Sequence, residues 1–223
     1  NVSLSAPPCN LSATVTAGGP TSFCPGGSVI LSSNTGNSYN YLWSNGATTS
    51  STTVSAGGSY YITISQGNNG QCAATSNVIV VTVYPNEVPQ ITPDGDTEFC
   101  EGGSVNLTSS AGSAYSWTNG ATDQTINVST SGDYSVTVTN EFGCVNTSAA
   151  TTVTVNPTPD AEVLPDGPTE FCDGGSVTLS ANSGDGYSYL WSNGSEEQSI
   201  TVSESGDYSV TVTNEYGCSA TSE

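Results

Sequence analysis

The residues of this chain best suited to covalent chemistry are its seven cysteines, which can pair as disulfides. They stand at Cys9, Cys24, Cys72, Cys100, Cys144, Cys172 and Cys218. This many cysteines in a polar chain is typical of proteins from oxidising, extracellular compartments. We therefore interpret them as disulfide partners, and their odd number leaves one over.

The charged residues exclude most other chemistry. The 223 residues include no Lys, Arg or His against 20 Asp plus Glu, which gives a formal charge of −20. The chain has no imidazole base, no lysine for a Schiff base and no guanidinium to bind an anion. Nucleic acid and anionic membrane surfaces would be repelled. We expect no catalytic or cofactor-binding residue, no nucleic-acid partner and no membrane insertion.

One cluster of carboxylates is a candidate for metal binding. Asp94, Asp96 and Glu98 follow one another in an acidic turn, where calcium could stiffen a domain junction. The equivalent turns carry only Asp166 and Glu170, or no carboxylate at all. We favour a solvated acidic turn without a cofactor, and calcium is the alternative.

A repeated motif organises the whole chain. Phe-Cys-x-Gly-Gly-Ser-Val occurs at 23–29, 99–105 and 171–177, so its cysteines lie 76 and 72 residues apart. Each copy contains short alternating strands and a turn signal such as Asn119-Gly120. About seven short strands in a copy of this length predict a small immunoglobulin-like β-sandwich. We predict an all-β fold of three tandem sandwiches at 9–84, 85–156 and 157–223, with 1–8 as a separate strand.

Two aromatic positions recur in every copy. The tryptophans Trp43, Trp117 and Trp191 could stack on sugars, but a fixed place on a central strand favours the core. Tyr60, Tyr134 and Tyr208 begin the penultimate strand, as a tyrosine corner would. We assign all six residues to the core.

The motifs Trp-x-Asn-Gly-Ala-Thr at 43–48 and 117–122 and Ser-Gly-Asp-Tyr-Ser-Val-Thr-Val-Thr-Asn-Glu-x-Gly-Cys at 131–144 and 205–218 resemble a known family. They are similar to the tandem immunoglobulin-like or PKD-like repeats of large bacterial surface adhesins exported with gliding-associated secretion systems. The resemblance implies a bacterial cell-surface location and a role in adhesion.

The last strand of the third copy is not found after its cysteine. Cys72 and Cys144 are each followed by a proline thirteen residues later, whereas the chain ends five residues after Cys218. Counting on from Glu223 into Asn1 restores the spacing at Pro8 and puts Val2, Leu4 and Ala6 at the positions of Ile79, Val81 and Val83. Three sandwiches in a row would span roughly 100 Å, and eight extended residues cover at most about 28 Å. We therefore predict that residues 1–8 complete the third domain of another copy.

Two disulfide schemes fit the repeats. One bridge within each domain would give Cys24–Cys72, Cys100–Cys144 and Cys172–Cys218. In a sandwich, however, the two cysteines of a copy should lie at opposite ends, about 20 Å apart, which is too far for a disulfide. We favour bridges between successive domains, which are Cys24–Cys144, Cys100–Cys218, and Cys172 to Cys72 of a neighbouring copy. Cys9 is then the odd residue, and it is free, linked elsewhere or a rival partner of Cys72.

The predicted function is a non-enzymatic subunit of an extracellular filament, assembled head to tail from identical copies. The alternative is a slice of a long tandem-repeat adhesin whose loops bind a glycan or protein ligand. The candidate binding loops, which depart from the repeat, are 65–71 and 183–186.

Overall fold

The computed structural model describes residues 9–66 and 72–223, and the regular elements in these ranges are β-strands. The predicted all-β fold class is confirmed. Within the same ranges, no helix has the length and apolar character needed to cross a membrane.

The first repeat is built from nine strands among the residues described. They are β1 (Val15–Ala17), β2 (Ser22–Phe23), β3 (Val29–Ser33), β4 (Tyr39–Trp43), β5 (Ser51–Val54), β6 (Gly58–Tyr60), β7 (Ile62–Gln66), β8 (Cys72–Thr75) and β9 (Ile79–Val83). They form three sheets in the orders β1-β3-β5, β4-β7-β8 and β2-β9-β6. The β6–β7 and β8–β9 pairs are two long strands, each with a short break. This arrangement matches the strand order of an immunoglobulin-like sandwich.

The second repeat has the same nine strands in the same order. They are β10 (Ile91–Pro93), β11 (Glu98–Cys100), β12 (Val105–Ser109), β13 (Ala114–Trp117), β14 (Thr125–Val128), β15 (Gly132–Tyr134), β16 (Val136–Thr139), β17 (Val145–Thr147) and β18 (Thr151–Asn156). Their sheet orders are β10-β12-β14, β13-β16-β17 and β11-β18-β15, which correspond one to one to those of the first repeat.

The third repeat has only six of these strands in the part of the chain described. They are β19 (Val163–Pro165), β20 (Val177–Ala181), β21 (Ser188–Trp191), β22 (Ser199–Val202), β23 (Val210–Thr213) and β24 (Ser219–Thr221). Two sheets are present, in the orders β19-β20-β22 and β21-β23-β24. The counterpart of β2-β9-β6 and β11-β18-β15 is missing from this described set.

Alternation of side chains explains why these segments form strands around a core. In β3, Val29 and Leu31 are buried, whereas Ile30 between them is 54% exposed. Buried side chains of both faces of the first repeat meet in one cluster, which joins Val15, Val29, Leu31 and Val54 to Trp43, Tyr60, Ile62, Ile64 and Val81. The repeat is therefore a sandwich with one core.

Tight turns follow the tryptophan strands. Gly120 has a φ of +86°, a conformation that glycine adopts without strain, and its amide donates to the Trp117 carbonyl oxygen over 2.9 Å. The Asn119-Gly120 turn expected from the sequence is present at this position.

The described chain divides into two compact units. One ends at Val88 and takes in Val138–Asn146, and the other comprises Pro89–Thr137 and Thr147–Glu223. The segment 138–146 includes Cys144, which is bonded to Cys24 of the same unit. The boundaries at 9–84, 85–156 and 157–223 remain a prediction from the sequence.

Candidate functional site

The candidate site is a strand position in the third repeat. The equivalent position in the first repeat is occupied by β9. There, β9 lies between two neighbours, parallel to β2 with Phe23 opposite Val83, and antiparallel to β6 with Gly58 opposite Val81. Val81 is 2% exposed and points into the core. The strand therefore closes the sheet and also fills the interior.

The second repeat has the same arrangement. Strand β18 runs parallel to β11, with Phe99 opposite Val155, and antiparallel to β15, with Gly132 opposite Val153. Val153 is 1% exposed. The repeated geometry identifies one strand position with two edges and one central buried side chain.

In the third repeat, the two edges stand without a described strand between them. The edges are Glu170–Cys172, equivalent to β11, and Gly206–Tyr208, equivalent to β15, and neither has strand structure. Between them lies a groove of about 770 Å³, which we call the acceptor groove. Its floor consists of Val163, Val177, Leu179 and Val202.

Exposure of the surrounding side chains follows from the open groove. Leu31 and Leu107 are 0% exposed in the first two repeats, whereas Leu179 is 6% exposed. Phe171 is 39% exposed, and its equivalents Phe23 and Phe99 are half-buried. Apolar surface that a strand covers elsewhere is thus accessible here.

One edge of the groove is nevertheless held in shape. The Phe171 ring lies so close to Gly175 that a Cβ there would be 2.9 Å from the ring's Cδ2 atom, and Gly103 stands in the same relation to Phe99. The Gly175 amide donates to the Cys172 carbonyl oxygen over 2.9 Å, as the Gly103 amide does to Cys100 over 3.0 Å. The turn that bears the edge has the same form whether or not a strand lies beside it.

The edges also present polar groups. Their equivalents in the second repeat bind β18. In the second repeat, the Thr154 amide donates to the Thr97 carbonyl oxygen over 2.8 Å, and the Val155 amide donates to Ser131 Oγ over 2.8 Å. Thr152 Oγ1 donates to Asp133 Oδ1 over 2.6 Å. The groove is lined by the equivalents of the three acceptors, Thr169, Ser205 and Asp207. An extended peptide in this position would meet acceptors suited to two of its amides and to one side-chain hydroxyl.

The predicted donor residues Val2, Leu4 and Ala6 lie outside the described residues, as does most of the 65–71 loop. The sequence predicts Tyr208 only as a core residue, and the motifs that contain Phe171 and Asp207 do not by themselves indicate a groove. Their identity with Phe99 and Asp133 in the repeat was the available signal.

The six aromatic residues predicted to lie in the core differ in burial, and the one that lines the groove is the least buried. Trp43, Trp117 and Trp191 are 2–3% exposed, and their indole Nε1 atoms donate to the carbonyl oxygens of Thr49, Asp123 and Glu197 over 2.8 Å. Tyr60 and Tyr134 are buried, and each hydroxyl donates to the carbonyl oxygen four residues earlier. Tyr208 keeps that hydrogen bond but is only half-buried, because it lines the groove.

Two disulfides join successive repeats. Cys24 is bonded to Cys144 with a Cα–Cα distance of 5.5 Å, and Cys100 is bonded to Cys218 with a distance of 5.6 Å. These are the two links of the interdomain scheme that fall within one copy, and no bridge joins the two motif cysteines of a repeat.

The third link of the interdomain scheme would join two copies. Cys72 is bonded to Cys9, with a Cα–Cα distance of 5.4 Å, and Cys172 is the free, exposed thiol. The sequence predicts a bond from Cys72 to Cys172 of another copy, and this bond stays a prediction because the structure describes one copy. In the structure of one copy, Cys9 lies beside Cys72, and it was the rival partner that the sequence left open.

Hydrogen bonds accompany each of the two links between repeats. The Asn140 side chain donates to the Pro85 carbonyl oxygen over 2.8 Å, and the Asn214 side chain donates to the Pro157 carbonyl oxygen over the same distance. Pro157 directly follows β18, and Pro85 lies two residues after the end of β9. The same combination of strand end, asparagine and disulfide thus occurs twice.

The acidic turn does not assemble a metal site in the structure. The Asp94 carboxylate accepts hydrogen bonds from the Asn106 amide and side chain over 2.9 and 2.8 Å, and Glu98 accepts one from Asn156 over 3.0 Å. The Asn106 side chain is the main cause that lowers the pKa of Asp94 below 3.8. In the described ranges, no group of three or more acidic, cysteine or histidine side chains is placed to hold a metal ion, so Asp94, Asp96 and Glu98 do not converge.

Comparison with known proteins does not assign this chain to a family. No family model and no curated protein matches the chain. Similar solved structures include an ICAM-5 D1–D4 ectodomain fragment, at 12% identity over 93% of this chain and 73% of that one, with a TM-score of 0.48. Another is a fibronectin(III)-like module structure of Clostridium thermocellum CbhA, at 16% identity over 60% of this chain and 90% of that one, with a TM-score of 0.31.

A third similar structure is SGBP-B of the Bacteroides ovatus mixed-linkage glucan utilization locus, in complex with a mixed-linkage heptasaccharide. Its identity is 14% over 92% of this chain and 65% of that one, with a TM-score of 0.21. These likenesses carry no argument about function.

Proposed function

We propose that this protein is a non-enzymatic subunit of an extracellular filament, in which residues 1–8 of one copy fill the acceptor groove of another. The observation that carries the proposal is the acceptor groove itself, which has two edges, an apolar floor and, among residues 9–66 and 72–223, no strand between the edges. An exposed sheet edge beside unfilled apolar surface favours addition of an extended segment from another chain.

The register of the first two repeats supports a specific alignment of the donated segment. Transferred from β18, it puts Ser3 opposite Asp207, Leu4 opposite Gly206 and Ala6 opposite Phe171. Leu4 then takes the position of Val81 and Val153, the most buried residues of their strands. In this alignment, an apolar side chain of suitable size would fill the buried position of the groove.

The polar residues of the segment support the same register. Ser3 is equivalent to Thr152, whose hydroxyl donates to Asp133, so the Ser3 hydroxyl would donate to Asp207. The Ser5 amide would donate to the Thr169 carbonyl oxygen, as Thr154 does to Thr97. Pro7 has no amide hydrogen and replaces Tyr84, whose amide donates to Phe23. The donated ladder therefore ends one bond earlier than in the first repeat.

Location and charge fit this function. Three disulfides are typical of a secreted or surface protein. A charge of −20 keeps exposed fibres soluble, and trypsin has no cleavage site without Lys or Arg. We place the filament on a bacterial cell surface, on the resemblance of the repeats to surface adhesins.

The test is removal of residues 1–8. The truncated chain should remain monomeric by analytical ultracentrifugation under conditions where the full chain forms fibres, and a synthetic peptide of residues 1–8 should bind to it. Circular dichroism of both proteins controls for loss of the fold. Fibres of normal length from the truncated chain would show that the proposal is wrong.

The same groove would be filled within one chain if the sequence is part of a long tandem-repeat adhesin, whose variable loops, such as 183–186, would bind a glycan or protein. The 183–186 loop is exposed. Mass spectrometry of fibres from the native source separates the two cases, since free termini at Asn1 and Glu223 require separate subunits.

A further inference from the structure

Cys172 occupies a position that is disulfide-bonded in both other repeats. Cys24 and Cys100, its equivalents, are each bonded to a cysteine of the following repeat that lies directly before β17 or β24. Cys172 is held in the same turn, with its carbonyl oxygen accepting from Gly175, yet it is a free and exposed thiol. Its position therefore lacks the partner that a following repeat supplies elsewhere.

In a filament, the following repeat is the first repeat of the next copy, and the equivalent cysteine there is Cys72. Cys72 is already bonded to Cys9. Cys9 stands directly after Pro8, the end of the segment that would enter the groove beside Cys172. Strand donation thus brings a free thiol and an existing disulfide to the same junction.

We propose that this junction is locked by thiol–disulfide exchange, an inference that rests on the proposed filament. The Cys172 thiolate of one copy attacks Sγ of Cys72 in the next copy. A new Cys172–Cys72 bond forms as the Cys9–Cys72 bond breaks, and the electron pair of the broken bond leaves with Cys9. Cys172 gives up a proton to solvent, and Cys9 takes one. No oxidant is consumed, and the number of disulfides is unchanged.

Attack at Cys72 rather than at Cys9 follows from the other junctions. Cys144 and Cys218, the equivalents of Cys72, pair with the preceding repeat at Cα–Cα distances of 5.5 and 5.6 Å. The equivalents of Cys9 are Asn86 and Thr158, which cannot form disulfides. Asn86 donates instead to the Val145 carbonyl oxygen over 3.1 Å, next to Cys144. The repeat geometry therefore directs Cys172 to Cys72 and leaves Cys9 adjacent as the leaving thiol.

The experiment compares thiol labelling in monomers and in fibres of the full chain, assembled without added oxidant. Iodoacetamide should label Cys172 in monomers and Cys9 in fibres. Chymotryptic mapping should find Cys72 joined to Cys9 before assembly and to Cys172 after it. Non-reducing gel electrophoresis in detergent should show a ladder of covalent oligomers that collapses on reduction.

A Cys172→Ser variant tests whether the lock is separate from assembly. It should still form fibres, which should fall to monomers in detergent without reductant, and its Cys9–Cys72 bond should remain. Wild-type fibres in which Cys172 is still labelled, or is joined to another Cys172, would overturn the exchange but not strand donation. Absence of fibres from both proteins would instead contradict the proposed function.

Discussion

Replacement of Leu4 by alanine is the sharpest test of how a donated strand would hold two copies together. The equivalent side chains Val81 and Val153 are 2% and 1% exposed, so Leu4 should be fully buried in the acceptor groove. Alanine removes three carbon atoms, which at about 0.8 kcal/mol each lowers the association free energy by about 2.4 kcal/mol. Since 1.4 kcal/mol corresponds to a factor of ten, association should weaken roughly 50-fold. A cavity that stays open would increase the loss.

The assay is the concentration dependence of assembly of the full chain, measured by sedimentation velocity. Ser5→Ala is the matched control, because its equivalents Thr82 and Thr154 are exposed, and it should assemble like the wild type. Leu4→Val, which introduces the residue found in the other repeats, should retain most of the association. The monomeric unfolding temperature should be the same for all variants. Equal assembly of Leu4→Ala and Ser5→Ala would refute burial of Leu4 in the groove.

Two further predictions concern charge. Asp94→Asn should destabilise the protein at neutral pH, because the hydrogen bonds from Asn106 lower the pKa of the folded carboxylate and so stabilise the fold above its usual 3.8. That stabilisation is lost as pH falls through the folded pKa, so the difference in urea midpoint between wild type and variant should shrink below pH 3.8 and should not widen. Assembly should quicken when salt rises from about 0.01 M to about 0.1 M, since the screening length falls from about 30 Å to about 10 Å between strongly negative copies. Light scattering measures this rate, and slower assembly at the higher salt would show that attraction between charges drives the contact.

The fold was largely accessible from the sequence because local signals agreed with each other. Alternation in Val105-Asn106-Leu107 predicts a half-buried strand, and Asn119-Gly120 predicts the turn that follows the tryptophan strand. The breaks within the long strands could not be predicted from the sequence. Tyr61 separates β6 from β7, and the two halves join different sheets, a choice made by partners far away in sequence. Periodicity describes one strand at a time and carries no information on which neighbour each half will find.

The sequence predicts the acceptor groove only indirectly. The five residues that follow Cys218 do not include the last strand found in the other two repeats. Its edges could not be described in this way. That Phe171 keeps its place against Gly175, and that Asp207 lines the groove, depends on packing within the third repeat. Repeats made these residues identifiable afterwards, since each has an equivalent beside a completed strand in the second repeat.

The cysteines show why a pairing scheme depends on how many copies are present. The pattern of two junctions, extended to the third, predicts a bond between Cys72 and Cys172, and this bond requires a second copy at the third junction. Within one copy, Cys9 forms the disulfide with Cys72, at a Cα–Cα distance of 5.4 Å. All seven cysteines lie in the described ranges, so three disulfides leave one thiol. Exchange would move that thiol from Cys172 to Cys9 without changing the total. Counting free thiols therefore gives the same answer for monomer and fibre, and only the position of the labelled cysteine distinguishes a locked filament from one held by strand donation alone.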